Sequence, residues 1–165
     1  MVIDDADLGR IAGLKLHSEA RGQTRYVRCR RPGQRTGGAY LHNFLIGGRA
    51  DHIDGDGLNN DRRNLRPCTQ AQNGLNRAPK RGKRFKGVYR HRSGNFYAQI
   101  ALAGRVYSSR SFCDEVTAAL AYDWMARRLH GQWARLNLPD RRWDGREPAF
   151  RWLDKADNRQ KEMPL

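Results

Sequence analysis

Between Ala50 and Asn73 the chain reads A-D-H-I-D-G-D-G-L-N-N-D-R-R-N-L-R-P-C-T-Q-A-Q-N. This order admits little besides strand, turn-rich loop, short strand and helix. Asp54-Gly55-Asp56-Gly57 is a loop, because glycine supplies the positive φ of a tight turn. Residues 65–68 can hold only a very short strand, since Pro67 lacks the N–H that a ladder needs. Thr69 followed three residues on by Gln72 is a capping box, which starts a helix at Thr69. Asn73 falls in the first turns of that helix, and Pro79 sets its outer limit. Asp51, His52, Asn64 and Asn73 therefore converge from the first strand, the end of the loop and the helix. A histidine that titrates near neutrality can take a proton from water. Carboxylate and amide oxygens suit a hard divalent ion. A calcium loop starting at Asp54 does not fit, because Leu58 and Leu65 stand at its fifth and twelfth positions, where oxygen ligands are required.

Charge narrows the partner. The 165 residues carry 32 Lys and Arg against 17 Asp and Glu, a formal net charge of +15. Residues 20–50 and 62–113 contain no acidic side chain at all. A surface that is merely solvated mixes its signs, whereas this segregation points to a polyanion, most simply nucleic acid. Cys29, Cys68 and Cys113 are widely spaced with no C-x-x-C, which argues against a disulfide framework and a zinc knuckle. No apolar run is long enough for a membrane span or the core of a signal peptide, so a soluble, cytoplasmic protein is expected.

The blocks Asp51-His52-Ile53-Asp54-Gly55, Asn59-Asn60, Asn64-Leu65-Arg66 and Thr69-Gln70-Ala71-Gln72-Asn73 resemble the HNH nuclease motif. That motif is the ββα-metal finger of phage and intron-encoded homing endonucleases. Upstream, Tyr40-Leu41-His42-Asn43 matches the His-Arg step of such proteins, with Asn43 in place of Arg. The resemblance implies His52 as general base, Asn64 as the central brace on the His52 side, and Asp51 with Asn73 as metal ligands. Asn73 stands where other members carry His. Two protein oxygens imply Mg²⁺, or Mn²⁺, as the cofactor. His42 has two readings, contact with the phosphate or bracing of the finger, and bracing is favoured. Ahead of the finger, residues 1–38 are expected to form a small strand-rich support, with a strand around Tyr26-Val27-Arg28-Cys29-Arg30.

Residues 78–86 read as a basic linker lying along DNA. After it, residues 86–92, 96–102 and 105–108 read as three strands separated by glycine turns, and 114–130 as a helix. Within it, Ala118, Ala121, Tyr122, Met125 and Leu129 form a stripe facing the sheet. The sequences Ala118-Ala119-Leu120-Ala121-Tyr122-Asp123 and Ala134-Arg135-Leu136-Asn137-Leu138-Pro139, with Gly87-Val88 and Ala98-Gln99-Ile100, resemble the plant Apetala-type (ethylene-response-factor) DNA-binding domain, which also occurs fused to HNH homing endonucleases. In that family the exposed sheet face reads the major groove. The corresponding positions are Tyr89, His91, Ser93, Gln99 and Ala101, with Arg105 and Tyr107 ambiguous. Tyr89, His91, Ser93 and Ala101 depart from the Arg and Trp of the plant domain, so only the docking mode carries over. Phe96 and Phe112 are expected in the core.

The expected organisation is thus α+β. An HNH endonuclease domain (1–77) is followed by a basic linker (78–86). A three-stranded antiparallel sheet packed on one helix (87–139) comes next, then a polar tail (140–165) whose Trp143, Phe150 and Trp152 fold back on the sheet module. The expected function is metal-dependent hydrolysis of phosphodiester bonds in double-stranded DNA, by nicking or double-strand cutting. The expected state is a monomer or weak dimer, without membrane, in a bacterial host or phage-infected cell. The alternative is a non-catalytic DNA-binding regulatory protein with a degenerate finger. Expected DNA contacts are Arg62, Arg63, Arg66, Arg77, Lys80, Arg81, Lys83, Arg84, Tyr89, Arg90, His91, Arg92, Gln99 and Arg105.

Overall fold

The computed structural model describes residues 1–144 and the backbone of 150–153 and 160–162, as a mixed α+β chain. It divides into two units, residues 1–77 and 78–165. No helix among the described residues is long and apolar enough to cross a membrane.

The first unit runs β1 (Val2–Ile3), α1 (Leu8–Ile11), β2 (Lys15–Arg21), β3 (Thr24–Arg30), β4 (Ala39–Tyr40), α2 (Leu41–Ile46), β5 (Ala50–His52), β6 (Asn59–Asn60), β7 (Leu65–Pro67) and α3 (Gln70–Leu75). β2 and β3 form an antiparallel hairpin with Arg21 opposite Thr24, closed at Gly22 with φ +65°. β4 joins the free side of β3. Val27, Cys29, Leu41, Leu45 and Leu65 form the buried core. So small a core is supplemented by ionic clasps. Asp7 is fully buried and accepts from Arg62 Nε (2.7 Å) and Nη2 (2.6 Å) and from Arg10 Nη1 (2.8 Å). The Arg62 guanidinium, then Arg10, holds its carboxyl below the usual range. Such a fork-on-carboxylate pair fixes geometry as well as energy. It ties the start of the chain to the 3-10 turn at Arg62–Asn64. Arg62, expected on DNA, is therefore also a brace on Asp7, with its own side chain half exposed.

β5 and β7 pair antiparallel, with Asp51 opposite Arg66 and His52 opposite Leu65. β6 pairs in parallel with β1, so that Asn60 lies opposite Ile3. Gly57 rests on β3 so closely that a Cβ there would meet the Arg25 carbonyl and the Tyr26 ring. α3 begins with the expected capping box: Thr69 Oγ1 accepts from the Gln72 N–H (3.2 Å), and Gln72 Oε1 accepts from the Thr69 N–H (2.8 Å). A cap of this kind contributes about 1 kcal/mol.

The second unit contains β8 (Val88–Arg90), β9 (Phe96–Leu102), β10 (Arg105–Ser109), α4 (Glu115–His130), β11 (Phe150–Leu153) and β12 (Gln160–Glu162). The sheet is five-stranded, in the order β12-β11-β10-β9-β8, and antiparallel throughout. The three expected strands are present, and the tail adds two more by pairing β11 with β10. Asp114 caps α4 by accepting from the Thr117 N–H (2.8 Å). Ala118, Ala121, Tyr122 and Met125 share the core with Ala98 and Ile100, and the small alanines let helix and sheet approach. Gly87, with φ +68°, is equally constrained, because a Cβ would run into the Tyr122 ring and the Gln99 carbonyl. Phe112 is buried and Phe96 packs against the same cluster, as expected. Trp143 meets Phe112 edge-on at 5.6 Å, whereas the expected packing of the Phe150 and Trp152 side chains lies outside the described residues.

The two blocks that carry the Apetala-type resemblance are joined by one buried carboxylate. Asp123 accepts from the backbone N–H of Asn137 and of Leu138, each at 2.7 Å. Asn137 in turn clasps both backbone groups of Lys86 (2.7 and 3.1 Å). Phe85 is buried in the core. The last residues of the expected linker 78–86 therefore belong to the folded unit, because the one aromatic in that basic run finds an apolar seat.

Candidate active site

The β5–β7 pair and the start of α3 bring together part of the expected set. Asp51 and His52 are both buried on β5, at 7% and 3% exposure. Asp51 Oδ2 accepts from Arg66 Nη2 (2.9 Å) and Asn76 Nδ2 (3.0 Å). Asn76 Nδ2 also donates to the His52 carbonyl (2.8 Å), clasping strand to helix. Arg66, expected on DNA, is instead Asp51's ion-pair partner, because antiparallel register places the two directly opposite. The sequence offers Asn76 as the next candidate ligand should Asn73 not serve. The Asn76 amide nitrogen faces Asp51 from the C-cap of α3, three positions beyond Asn73.

His52 Nε2 lies 3.3 Å from Asn60 Oδ1, and Asn60 is fully buried. Asn64, expected to brace the His52 side, does so only indirectly. Its Nδ2 donates to Asp54 Oδ1 (3.0 Å) and to the Asn59 carbonyl (2.8 Å), and its Oδ1 accepts from the Asp54 N–H (3.0 Å). Asn64 is thus a positioning residue that closes the loop, while Asn60 supplies the amide beside the imidazole. A polar pair such as Asn59-Asn60 gives no hint of this until β6 is placed on β1. Burial lowers the His52 pKa, against the pull of Asn60, Asp54, Asp51 and Asp56, so the ring is neutral at neutral pH.

His42 on α2 is the second imidazole. Its ring meets His52 edge-on at 4.6 Å and stacks on Tyr40 at 5.5 Å. Tyr26, also missed by sequence reasoning, touches both histidines at 5.9 Å. Asn43, which departs from the Arg of the motif, accepts from the Ala50 N–H through Oδ1 (2.9 Å) and so positions the start of β5. Burial, then the neighbouring His52, holds the His42 pKa down to about 4. An unfolded His42 binds its proton near pH 6.5, whereas the folded one does not until about pH 4. Stability should therefore fall as pH drops through that window, by on the order of 3 kcal/mol. His52 adds in the same direction. Urea midpoints by far-UV circular dichroism should show this loss, and His42→Gln should remove most of it. An equal slope in parent and variant would mean that His42 does not titrate this way.

Asn73 is half-buried on α3 and lines a cavity with His42 and Arg77. Among the described residues no group of three or more His, Cys, Asp or Glu is arranged to hold a metal. The remaining donor set, an Asp51 carboxylate and an Asn73 amide oxygen, fits a hard ion completed by substrate oxygens and water. Arg66 and Asn76 compete for the carboxylate.

The other expected DNA contacts fall into three groups. Arg63 pairs with Asp61 (2.7 Å) and is strongly exposed. Arg77, Lys80, Arg81, Lys83, Arg84, Arg90 and Arg92 are exposed, with Lys83 over the Tyr89 ring at 5.7 Å. On the sheet, Tyr89 pairs with Tyr97 and Gln99 with Ser108. They share the side opposite the buried Ala98 and Ile100, with Tyr89 stacked on Tyr97 at 5.7 Å. His91 sits in the turn beyond β8, its Nδ1 3.0 Å from Ser93 Oγ. Register resolves the two ambiguous positions. Tyr107 lies opposite Ile100 and joins the core, and Arg105 lies opposite Leu102 with the same inward parity, at the end of its strand.

No family model matches the chain, and no solved structure matches it. It is 32% identical over 107 residues to an uncharacterized HNH endonuclease of Acanthamoeba polyphaga mimivirus, a match covering 61% of this chain and 56% of that protein. The chain spans little more than half the length of the relative it matches.

Proposed function

We propose that the chain is a metal-dependent DNA endonuclease of the HNH type, in which the first unit hydrolyses phosphodiester bonds and the second holds duplex DNA. The observation that carries this reading is the β5–β7 pair followed by capped α3, which sets Asp51 and His52 against the helix bearing Asn73 and Asn76. The similarity to a protein named as an HNH endonuclease supports it, and so does the segregated positive charge.

His52 is the general base. With Nε2–H donating to Asn60 Oδ1, Nδ1 is left bare to take a proton from water. The water oxygen then bonds to phosphorus, and the ester oxygen departs. Asp51 and Asn73 would hold a divalent ion, Mg²⁺ or Mn²⁺, which would supply positive charge against the negative charge building up in the reaction. Asn64 and Asn60 keep the loop and the imidazole in register. In the second unit the outer sheet face with Tyr89, Tyr97 and Gln99, in the Apetala-type docking mode, meets the duplex.

One observation favours the other reading, a DNA-binding protein with an inactive finger: Arg66 and Asn76 already engage the Asp51 carboxylate. Supercoiled plasmid separates the two. Nicked or linear product should form with Mg²⁺ or Mn²⁺ and disappear with chelator. A chain that binds plasmid and never cuts it with either ion is the binding protein.

A further inference from the structure

The first unit holds a cavity of about 680 Å³ beside His42. Arg21, Arg49 and Arg77 line it, and no Asp or Glu does. All three arginines are exposed, and none forms a salt bridge among the described residues. Arg21 Nη1 is steered by Tyr40, whose hydroxyl accepts from it at 2.5 Å. Cations gathered without counter-charge repel one another, so this grouping adds nothing to stability and suits an anion. A second observation is independent of the first. His42 lines the same cavity at 7% exposure, and its Nδ1 has no hydrogen-bond partner. A buried polar nitrogen left unsatisfied is costly, and a ligand oxygen would relieve that cost. The volume is that of a site for a whole small molecule, in the range of roughly 300–1,000 Å³, so more than an isolated phosphate fits.

We infer that this cavity seats a backbone phosphate and its sugar from the DNA strand beside the bond to be cut, with Arg49 and Arg77 as the clamp and His42 Nδ1 as a further donor. The inference rests on the endonuclease reading for the identity of the polymer. It adds Arg21 and Arg49, which the motif does not assign, as positioning residues, and gives His42 the phosphate contact in place of the bracing role. The His42 ring then links the seated phosphate to His52 through their edge-to-face contact.

The test uses the full chain in chelator with a mixed-sequence duplex, so that binding is read without cutting. The slope of log affinity against log salt should flatten by about 0.9 for each phosphate that no longer meets a cation. Arg49→Gln/Arg77→Gln, which removes the clamp on that one phosphate, should therefore flatten it by about 0.9. The His42 ring resonance, identified by its absence in His42→Gln, should shift when duplex is added to the parent and stay put in the double variant. An unchanged slope, or a His42 resonance indifferent to duplex, overturns the inference. So does inorganic phosphate that moves the resonance as far at an equal concentration of phosphate groups, which would make this a free-anion site. Plasmid cutting with Mg²⁺ alongside an unchanged slope sinks the cavity alone. A flattened slope and shifting resonance in a chain that never cuts keeps the anion site and sinks the nuclease.

Discussion

Replacing His52 with Ala should lower the rate of DNA cleavage by roughly 10² to 10⁴ and leave DNA affinity almost unchanged. Affinity should be set by Lys and Arg on phosphates, and His52 is a buried, uncharged ring rather than one of those cations. The ring is neutral at pH 7 because burial has lowered its pKa, so it holds a lone pair ready for a proton. The same shift places the acid limb of the pH–rate profile below the ordinary histidine value of 6.5. Single-turnover rates with saturating protein measure the effect, and circular dichroism checks the fold. His52→Gln, which keeps a polar group beside Asn60, should lose as much rate. Equal rates for parent and both variants would take His52 out of the mechanism.

The second large effect is structural. Arg66→Met should destabilise the first unit by about 3–5 kcal/mol, because it strips the partner from a buried carboxylate. Both side chains are largely covered, at 14% and 9% exposure, and Asn76 alone remains on Asp51 Oδ2. All four tryptophans, Trp124, Trp133, Trp143 and Trp152, lie in the second unit. Tryptophan fluorescence therefore follows that unit, and far-UV circular dichroism reveals loss of the first. A urea midpoint that does not move would show that the Asp51–Arg66 pair is not holding β5 to β7. Arg66→Met with Asp51→Asn together should recover much of the loss, since no buried charge is then left alone.

Local signals were legible and distant partnerships were not. The capping box at Thr69 and Gln72 and the acidic cap at Asp114 are contained within four residues each, so the sequence announces both helices. The alternation over residues 96–102 likewise gives β9. Arg62 read as a phosphate contact because its partner, Asp7, is 55 positions away. Arg66 read the same way because its role depends on a register that only the folded pair defines. Asn60 and Asn64 are chemically identical, and which of them meets His52 follows from β6 pairing with β1. The resemblance pointed to residues 51–73 as the neighbourhood of the candidate site. The choice among neighbouring amides and arginines belongs to packing.

β11 lies along the side of β10 that faces away from β9. A fragment ending at Pro139, where the Apetala-type resemblance stops, would leave that side bare. A row of unpaired amide and carbonyl groups would then be open to a strand from another molecule, which is a route to aggregation. The portable form of the second unit is therefore longer than its recognisable motif. Grafting or expressing it by the motif's limits should yield material that self-associates, whereas extending it through Glu162 keeps the edge covered.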